Sequence, residues 1–170
     1  MREINAAGLE LVKRWEGVLD GDSTTVNLDP YLDPVGIWTI GWGHAIRSVA
    51  GAFLRGASGA THAKRLYPDG ITVQQAETLL RADLLDASRD VATLARMPLH
   101  DNEFAALVSF EFNCGGLNHS TLLQRLLEND FRAAGDEFLR WTKGRMDGKL
   151  VVLPGLVARR KAERTLFFQR

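Results

Sequence analysis

The chain has 170 residues, which is enough for one domain or two fused lobes but not for a string of domains. Apolar residues make up 45% of it and charged residues 25%, a composition typical of globular proteins. Its 21 basic and 21 acidic side chains cancel, which argues against a general nucleic-acid-binding protein. The longest apolar stretch has nine residues, far short of the roughly 20 that a membrane span needs, so we expect no membrane insertion.

Charge is unevenly distributed despite the zero sum. Residues 139–170 carry a net charge of +7, and the remaining residues carry −7. This asymmetry favours contact of the C-terminal part with a polyanion, and a solvated helix face is the alternative interpretation.

Two features bear on the cellular compartment. Cys114 is the only cysteine, so an intrachain disulfide is impossible, and we expect Cys114 to be a small buried residue. The sequence begins without the basic start, apolar run and cleavage site of an export signal, so we expect synthesis in the cytoplasm.

The first third of the chain predicts one helix and one hairpin. Asn5 is a favourable N-cap, apolar residues recur at helical spacing and a glycine follows them, so a helix covers Asn5–Glu16. Residues 18–34 are rich in acids and turn formers and are interpreted as a loop. The turn Asp33–Gly36 precedes the β-branched and aromatic run Ile37–Trp42, which indicates a short β-hairpin.

The middle of the chain changes from irregular to strongly helical. Residues 48–70 show no clear period, so we expect irregular structure with one short helix near Phe53. Thr72 and Gln75 then form a capping box, and apolar residues follow at helical spacing. One long helix over residues 72–95 is predicted.

The last third is interpreted as a helical bundle. N-cap residues precede apolar runs at Asp101, Ser120 and Asp130, and each predicts a helix. Lys143–Lys149 is interpreted as a Gly-rich turn, after which Pro154 begins a last helix. On that helix we expect Ala158, Ala162 and Leu166 to pack, and Arg159, Lys161 and Arg164 to lie on other faces.

Together these elements predict a single α+β domain, mainly helical, over residues 1–170. A small N-terminal lobe with a hairpin, about residues 1–71, is joined by the helix over about residues 72–95 to a C-terminal helical lobe, about residues 96–170. The seam between the lobes is the expected place of a cleft.

The common cofactor and metal motifs are missing from the sequence. It has no Gly-rich phosphate loop, no HExxH and no Cys/His cluster, and it lacks the Gly-x-Ser-x-Gly elbow of serine hydrolases. The four histidines are scattered, and for His44 a structural hydrogen bond is favoured over a catalytic role. We therefore expect no metal and no cofactor, and carboxyl groups remain as the candidate catalytic groups.

Glu16 is unusual among the carboxyl groups because it lies on the last turn of the predicted first helix. The negative end of the helix dipole disfavours ionisation there, and the neighbouring Trp15 favours partial desolvation. A carboxyl group that stays protonated near neutral pH is suited to general acid catalysis. A solvated surface glutamate is the alternative.

A larger pattern connects Glu16 to the predicted hairpin. Arg14-Trp15-Glu16-Gly17 and Tyr31–His44 resemble the active-site region of phage-type lysozymes, the endolysin muramidases of glycoside hydrolase family 24. The resemblance continues in order through Ile71-Thr72, Ala76–Leu80, Ser109–Asn113, Ser120–Leu123 and Leu153–Glu163. It implies a lysozyme-like fold and hydrolysis, without a cofactor, of the β-1,4 bond between N-acetylmuramic acid and N-acetylglucosamine in bacterial peptidoglycan.

The resemblance also implies a catalytic set, because the family's Glu, Asp and Thr carry over onto Glu16, Asp33 and Thr39. Glu16 would protonate the leaving oxygen, and Asp33 with Thr39 would hold a water on the opposite face of the sugar. Without the resemblance, Asp33 would be a turn residue of the Asp-Pro type and Thr39 an ordinary strand residue. Neither pattern nor resemblance assigns further substrate-binding residues.

The match departs from the family in one spacing. Five residues separate Asp33 from Thr39, as in the family, but sixteen separate Glu16 from Asp33, which is more than family members usually have. The extra residues fall in the acidic loop, where Asp29 also precedes a proline. Asp29 is therefore the main rival of Asp33, with Asp20 and Asp22 as further acids of the same loop.

Two other functions stay open on the sequence. A lytic transglycosylase on the same scaffold would keep the acid but form an anhydro-sugar instead of using water, and a non-catalytic wall-binding protein would keep only the fold. The resemblance further implies a monomer made in the host cytoplasm, which reaches the cell wall once a separate membrane-permeabilising protein, a holin, has acted.

Overall fold

Seven helices and five short strands occur in the computed structural model, which describes residues 2–146 and 148–170. The helices are α1 (Ala6–Glu16), α2 (Gly56–Leu66), α3 (Val73–Leu94), α4 (Asp101–Cys114), α5 (Thr121–Leu127), α6 (Phe131–Glu137) and α7 (Pro154–Phe168). The strands are β1 (Tyr31–Leu32), β2 (Trp38–Ile40), β3 (His44–Ala45), β4 (Lys143–Met146) and β5 (Lys149–Val152). The prediction of a mainly helical α+β fold is confirmed.

The chain divides into two compact units. The smaller unit is Glu16–Asp83, and the larger unit combines the residues up to Trp15 with Leu84–Arg170. The boundaries fall inside α1 and α3, so each of these helices contributes to both units. Most of α1 belongs to the larger unit, where a Cβ atom on Gly8 would lie only 2.6 Å from Cβ of Ala105 on α4. Glycine is needed at this position because the two helices approach so closely.

The smaller unit contains a three-stranded antiparallel sheet in the order β1-β2-β3. Tyr31 in β1 lies opposite Thr39 in β2, and on the other side of β2 the partner of Thr39 is Ala45 in β3. The predicted hairpin is confirmed, and β3 adds a strand that the sequence pattern did not predict. Gly41 lets the end of β2 approach α3, because a Cβ atom there would lie 2.8 Å from Cβ of Ala76.

Helix α2 lies within residues 48–70, for which we predicted mostly irregular structure. The expectation of only a short helix near Phe53 is wrong, because Phe53 forms an isolated bridge with Arg47 and an eleven-residue helix follows. Glycines weaken the helical pattern of this segment in the sequence. Gly59 is nevertheless required, since a Cβ atom there would lie 2.8 Å from the Trp38 ring.

Several predicted helix starts are confirmed by their capping hydrogen bonds. At the start of α3, the backbone N–H of Thr72 donates to Oε1 of Gln75 (2.8 Å), and the backbone N–H of Gln75 donates to Oγ1 of Thr72 (3.2 Å). Ser120 and Asp130 cap α5 and α6 in the same way with their side chains. The long helix, α5 and α6 therefore begin where the sequence predicts, whereas the N-cap of α4 is His100 and not the predicted Asp101.

A second hairpin, β4 with β5, follows the short helices of the larger unit. Its register runs from Lys143 opposite Val152 to Met146 opposite Lys149. The interpretation of Lys143–Lys149 as only a Gly-rich turn is therefore wrong. Gly144 suggested a turn, but it lies within the strand β4 and is needed there because a Cβ atom would meet the Leu153 side chain at 2.5 Å.

Three charged side chains lie in the interior of the larger unit. Arg159, Arg160 and Glu163 on α7 are 4%, 0% and 0% exposed. The Nε atoms of Arg159 and Arg160 lie 3.1 and 3.0 Å from the Glu163 carboxylate, to which Ser109 on α4 donates at 2.8 Å. The prediction for this helix is wrong at two positions: Ala158 is exposed, and Arg159 is buried because pairing with Glu163 permits its burial. We call these four residues the buried ion cluster.

Cys114 is exposed, so the expectation that it is buried is wrong. It is the last residue of α4, and Gly115 follows in the left-handed conformation with φ of 59°. The thiol donates to the carbonyl of Phe110, one turn earlier, at 3.1 Å. Its place at the end of a helix, which residue type does not reveal, explains the exposure.

Candidate active site

Asp33 is held in a tight turn between β1 and β2. Its backbone N–H donates to the Ile37 carbonyl at 2.9 Å, which extends the strand pairing by one residue. Its Oδ1 accepts hydrogen bonds from the backbone N–H groups of Val35 (2.9 Å) and Ile37 (2.7 Å). The turn therefore holds the carboxyl group in place through Oδ1, and Oδ2 is the oxygen suited to accept a proton from a water.

Thr39 lies in the centre of β2 and is only 3% exposed. Its Oγ1 donates to the Ile37 carbonyl at 3.2 Å. A hydroxyl group has one proton to donate and two lone pairs. Because the proton is directed to the carbonyl, the Thr39 oxygen can serve a bound water as an acceptor.

Strand register places three side chains on one face of the sheet. Tyr31 and Thr39 are direct cross-strand partners, and such partners leave the sheet on the same side. Asp33 follows Tyr31 by two residues, and the alternation of side chains along an extended backbone puts it on that side as well. We call Tyr31, Asp33 and Thr39 the site face.

Glu16 is the last residue of α1. The next residue, Gly17, adopts a left-handed conformation with φ of 65°, so the helix ends where the sequence predicts. The Glu16 side chain is half-buried and belongs to the smaller unit, as do the three residues of the site face. It therefore lies at the carbonyl end of α1, as expected from the sequence.

The electrostatics of Tyr31 link Glu16 to the site face. Burial raises the pKa of the Tyr31 phenol above 10.0, and the negative charges of Asp33 and then Glu16 raise it further. A charge has such an effect on a neighbouring group at short range. The charges of both Glu16 and Asp33 thus act on the Tyr31 phenol, and Thr39 is the cross-strand partner of Tyr31. Sequence reasoning missed Tyr31, although its position two residues before Asp33 was a usable signal.

Asp29, the predicted rival of Asp33, is engaged within the acidic loop. Its carboxylate accepts a hydrogen bond from Oγ1 of Thr25, and its backbone N–H donates to Oδ1 of Asp20 at 2.9 Å. The carboxylates that raise the pKa of Tyr31 are those of Asp33 and Glu16. These contacts favour Asp33 over Asp29 as the partner of Glu16.

His44 on β3 pairs with Asp83 on α3. Its Nδ1 atom lies 2.9 Å from Oδ2 and 3.0 Å from Oδ1 of Asp83, and both side chains are partly exposed. The contact joins the third strand to the long helix. It agrees with the structural hydrogen bond that the sequence favours for His44.

The candidate reactive groups are carboxyl and hydroxyl groups. No cluster of three or more metal-ligating side chains occurs in the part of the chain that the structure describes. Across residues 2–146 and 148–170, no helix is both long and apolar enough to cross a bilayer.

The fold is mainly helical with a small antiparallel sheet, an acid ends the first helix, and an aspartate in a turn precedes a threonine on the central strand. These features are typical of a lysozyme-like glycosidase. Residues 13–163 match the phage lysozyme family, and the chain belongs to this family. It is 36% identical over 166 residues to the endolysin of Acyrthosiphon pisum secondary endosymbiont phage 1, covering 96% of this chain and 97% of that one. It is 34% identical over 169 residues to the endolysin of Salmonella phage P22, with 98% and 99% covered.

Solved structures agree with the family assignment. The muramidase domain of SpmX from Asticaccaulis excentricus is similar with a TM-score of 0.75 and 31% identity over the whole of both chains. P22 lysozyme is similar with a TM-score of 0.74 and 30% identity, covering 99% of this chain and 100% of that one. The predicted family, the lysozyme-like fold and the assignment as an endolysin-type muramidase are confirmed, and the two alternative functions are not favoured.

Proposed function

We propose that this muramidase cuts the β-1,4 bond between N-acetylmuramic acid and N-acetylglucosamine with inversion, using Glu16 as the general acid and Asp33 with Thr39 to hold the attacking water. The observation that supports the proposal is the strand register, which pairs Tyr31 with Thr39 two residues before Asp33, and the charges of Asp33 and Glu16 both act on the Tyr31 phenol. Inverting glycosidases need two carboxyl groups on opposite sides of the scissile bond.

Each group has one task in the proposed reaction. Glu16 donates its proton to the glycosidic oxygen as the bond from that oxygen to C1 breaks. The oxygen of the water forms the new bond to C1, Oδ2 of Asp33 takes one of its protons, and Oγ1 of Thr39 accepts a hydrogen bond from the other. After product release, Asp33 loses its proton to solvent and Glu16 regains one.

The variant Glu16→Gln tests the role of the acid. It keeps the shape of the side chain but removes the transferable proton, so the rate of peptidoglycan clearing in a turbidity assay should fall at least 10²-fold, in the range of roughly 10² to 10⁴ for general acid catalysis. Glu10→Gln is the matched control, because Glu10 is an exposed residue of the same helix that pairs with Lys13. Near wild-type clearing by folded Glu16→Gln would contradict the assignment.

The configuration of the first product tests the role of Asp33. With a water between Asp33 and the sugar, the α-anomer forms first, and the two carboxyl groups are separated by roughly 6.5 to 9.5 Å in the substrate complex. Proton NMR of the nascent reducing end distinguishes the outcomes. An initial β-anomer would indicate retention, and a 1,6-anhydro end would indicate a transglycosylase.

We also propose that the enzyme acts as a monomer and that a separate protein of the holin type gives it access to the wall. Helix α1 carries Glu10, Lys13 and Arg14, which are costly in a bilayer core, so α1 is unsuited to be a membrane anchor. Cells that express the protein alone should stay dense until chloroform permeabilises the inner membrane, and then lyse abruptly. Spontaneous lysis during expression would refute holin dependence, and sedimentation as a dimer would refute the monomer.

A further inference from the structure

We propose that the hydroxyl group of Tyr31 is a third group that holds the attacking water: it donates a hydrogen bond to the water oxygen and so directs the remaining lone pair at C1. The inference rests on the proposed function, because it needs the water that Asp33 and Thr39 hold. It adds a water-positioning residue to the site.

The hydrogen-bond requirements of the water lead to this assignment. A water molecule has two hydrogens and two lone pairs, and one lone pair must form the bond to C1. Oδ2 of ionised Asp33 can only accept, and Thr39 also accepts because its own proton is directed to the Ile37 carbonyl at 3.2 Å. Both hydrogens of the water are therefore used, and the second lone pair still needs a donor.

Tyr31 is placed to supply that donor. It lies directly opposite Thr39 across the β1-β2 ladder and two residues before Asp33, so it shares the site face with both. Its side chain is half-buried, and its phenol lies in the field of both Asp33 and Glu16. The water bound by Asp33 and Thr39 is thus next to a side chain that extends well beyond theirs.

The surroundings of Tyr31 also keep its proton in place. Burial, Asp33 and Glu16 all raise the pKa of the phenol above 10.0. The hydroxyl group therefore remains an O–H donor throughout the neutral pH range. A phenolate in the same position would accept a hydrogen bond and could not replace the missing donor.

The variant Tyr31→Phe tests the inference, because it keeps the ring and the strand pairing and removes only the hydroxyl group. We expect kcat to fall about tenfold, the loss of one neutral hydrogen bond in the transition state, while KM changes by less than about twofold. Tyr67→Phe is the matched control. Tyr67 is also half-buried with a raised pKa, but the charge acting on it is that of Asp83, and kcat should be unchanged.

A double-mutant cycle shows whether Tyr31 and Thr39 act on the same water. Thr39→Val keeps the shape of the strand residue and removes its hydroxyl group. If both residues hold one water, the loss in kcat of the double variant should be clearly smaller than the product of the two single losses. A strictly multiplicative loss, or a Tyr31→Phe variant with full kcat or an altered KM alone, would overturn the inference.

The experiments distinguish failure of this inference from failure of the proposed function. If Glu16→Gln keeps its activity, the proposed function is wrong and the inference falls with it. If Glu16→Gln is inactive while Tyr31→Phe keeps full kcat, only the inference is wrong. Thermal unfolding of each variant confirms that the comparison is made on folded protein.

Discussion

Glu16 and Asp33 in the smaller unit form one group of charged side chains, and Arg159, Arg160 and Glu163 in the larger unit form another. The first two are like-charged carboxyl groups, and both are half-buried. The second group combines two cations with one anion, and each of these side chains is 4% exposed or less. The turn between β1 and β2 holds Asp33, helix α1 positions Glu16, and mutual ion pairing holds the second group.

The two groups are expected to serve different purposes: the first serves catalysis and the second serves the stability of the fold. Like-charged carboxyl groups do not stabilise the fold by their mutual interaction, so their conversion to amides, which keeps Oδ1 of Asp33 as an acceptor for the turn, should change the rate and leave the fold intact. A buried cation whose partner is removed becomes an uncompensated charge, so a change in the buried ion cluster should weaken the fold and leave the chemistry intact. The comparison predicts opposite phenotypes for carboxyl substitutions in the two units.

The largest effect is expected at Asp33. Asp33→Asn removes the base that takes the proton of the water, and clearing activity should fall by roughly 10² to 10⁴. Asp29→Asn, the matched substitution in the acidic loop, should keep activity within about threefold because that carboxylate is engaged by Thr25. Turbidity assays on both purified variants give the answer. The reverse result would identify Asp29 as the base in place of Asp33.

The next effect is expected in the buried ion cluster. Glu163→Gln leaves Arg159 and Arg160 buried without a counter-charge, so the free energy of unfolding should fall by about 3 to 5 kcal/mol. Activity per folded molecule should not change. Glu128→Gln, which breaks a surface pair with Arg125, should cost less than about 1 kcal/mol. Urea unfolding measures both, and equal small losses would contradict the difference between the units.

The smallest effect is a loss of stability at alkaline pH. The pKa values of Tyr31 and Tyr67 are both raised above 10.0 in the folded protein, by burial first and then by nearby carboxylates. Between the unfolded and folded pKa values, the unfolded chain releases protons that the folded chain keeps, so the free energy of unfolding falls as pH rises above about 10. Below that pH these tyrosines do not contribute to the dependence of the free energy of unfolding on pH.

Phenylalanine variants show how much of the loss of stability at alkaline pH each tyrosine causes. Tyr31→Phe and Tyr67→Phe should each remove the part of the slope that its own tyrosine causes, because the pKa of both phenols is raised above 10.0, chiefly by burial. Unfolding followed at pH values from about 8 to 11 provides the measurement. An unchanged slope in both variants would mean that other groups cause the alkaline loss.

The helices were predictable where local signals agree. The capping box at Thr72 and Gln75 and the N-caps Ser120 and Asp130 are local features, and the helices begin at them. Helix α2 was not predictable because Gly59 is set by its contact with Trp38, a residue distant in sequence. Gly144 led to the wrong prediction of a turn for the same reason, since its close contact with Leu153 is not visible in the local sequence.

The residues of the candidate site were predictable where they lie in recognisable segments of the sequence. Glu16, Asp33 and Thr39 lie in segments that resemble phage-type lysozymes, whereas Tyr31 becomes visible only through the register of β1 against β2. The burial of Arg159 was unpredictable from helical periodicity, which assigns charged residues to solvent. Its burial depends on Glu163 one turn later and on Ser109 of another helix.

The division of α1 between the units has a consequence for biosynthesis. Leu9 and Val12 of α1 are buried, and they belong to a unit whose remaining residues begin at Leu84, so this unit stays incomplete on the growing chain until that later part is made. The smaller unit is continuous in sequence, and its contacts can form earlier during translation. The larger unit combines residues from the N-terminal and the C-terminal parts of the chain, so its formation costs more loop-closure entropy than that of the smaller unit. It can be completed only after the ribosome has made α7. A chain that stops before α7 therefore contains every proposed catalytic residue but lacks one helix of the larger unit.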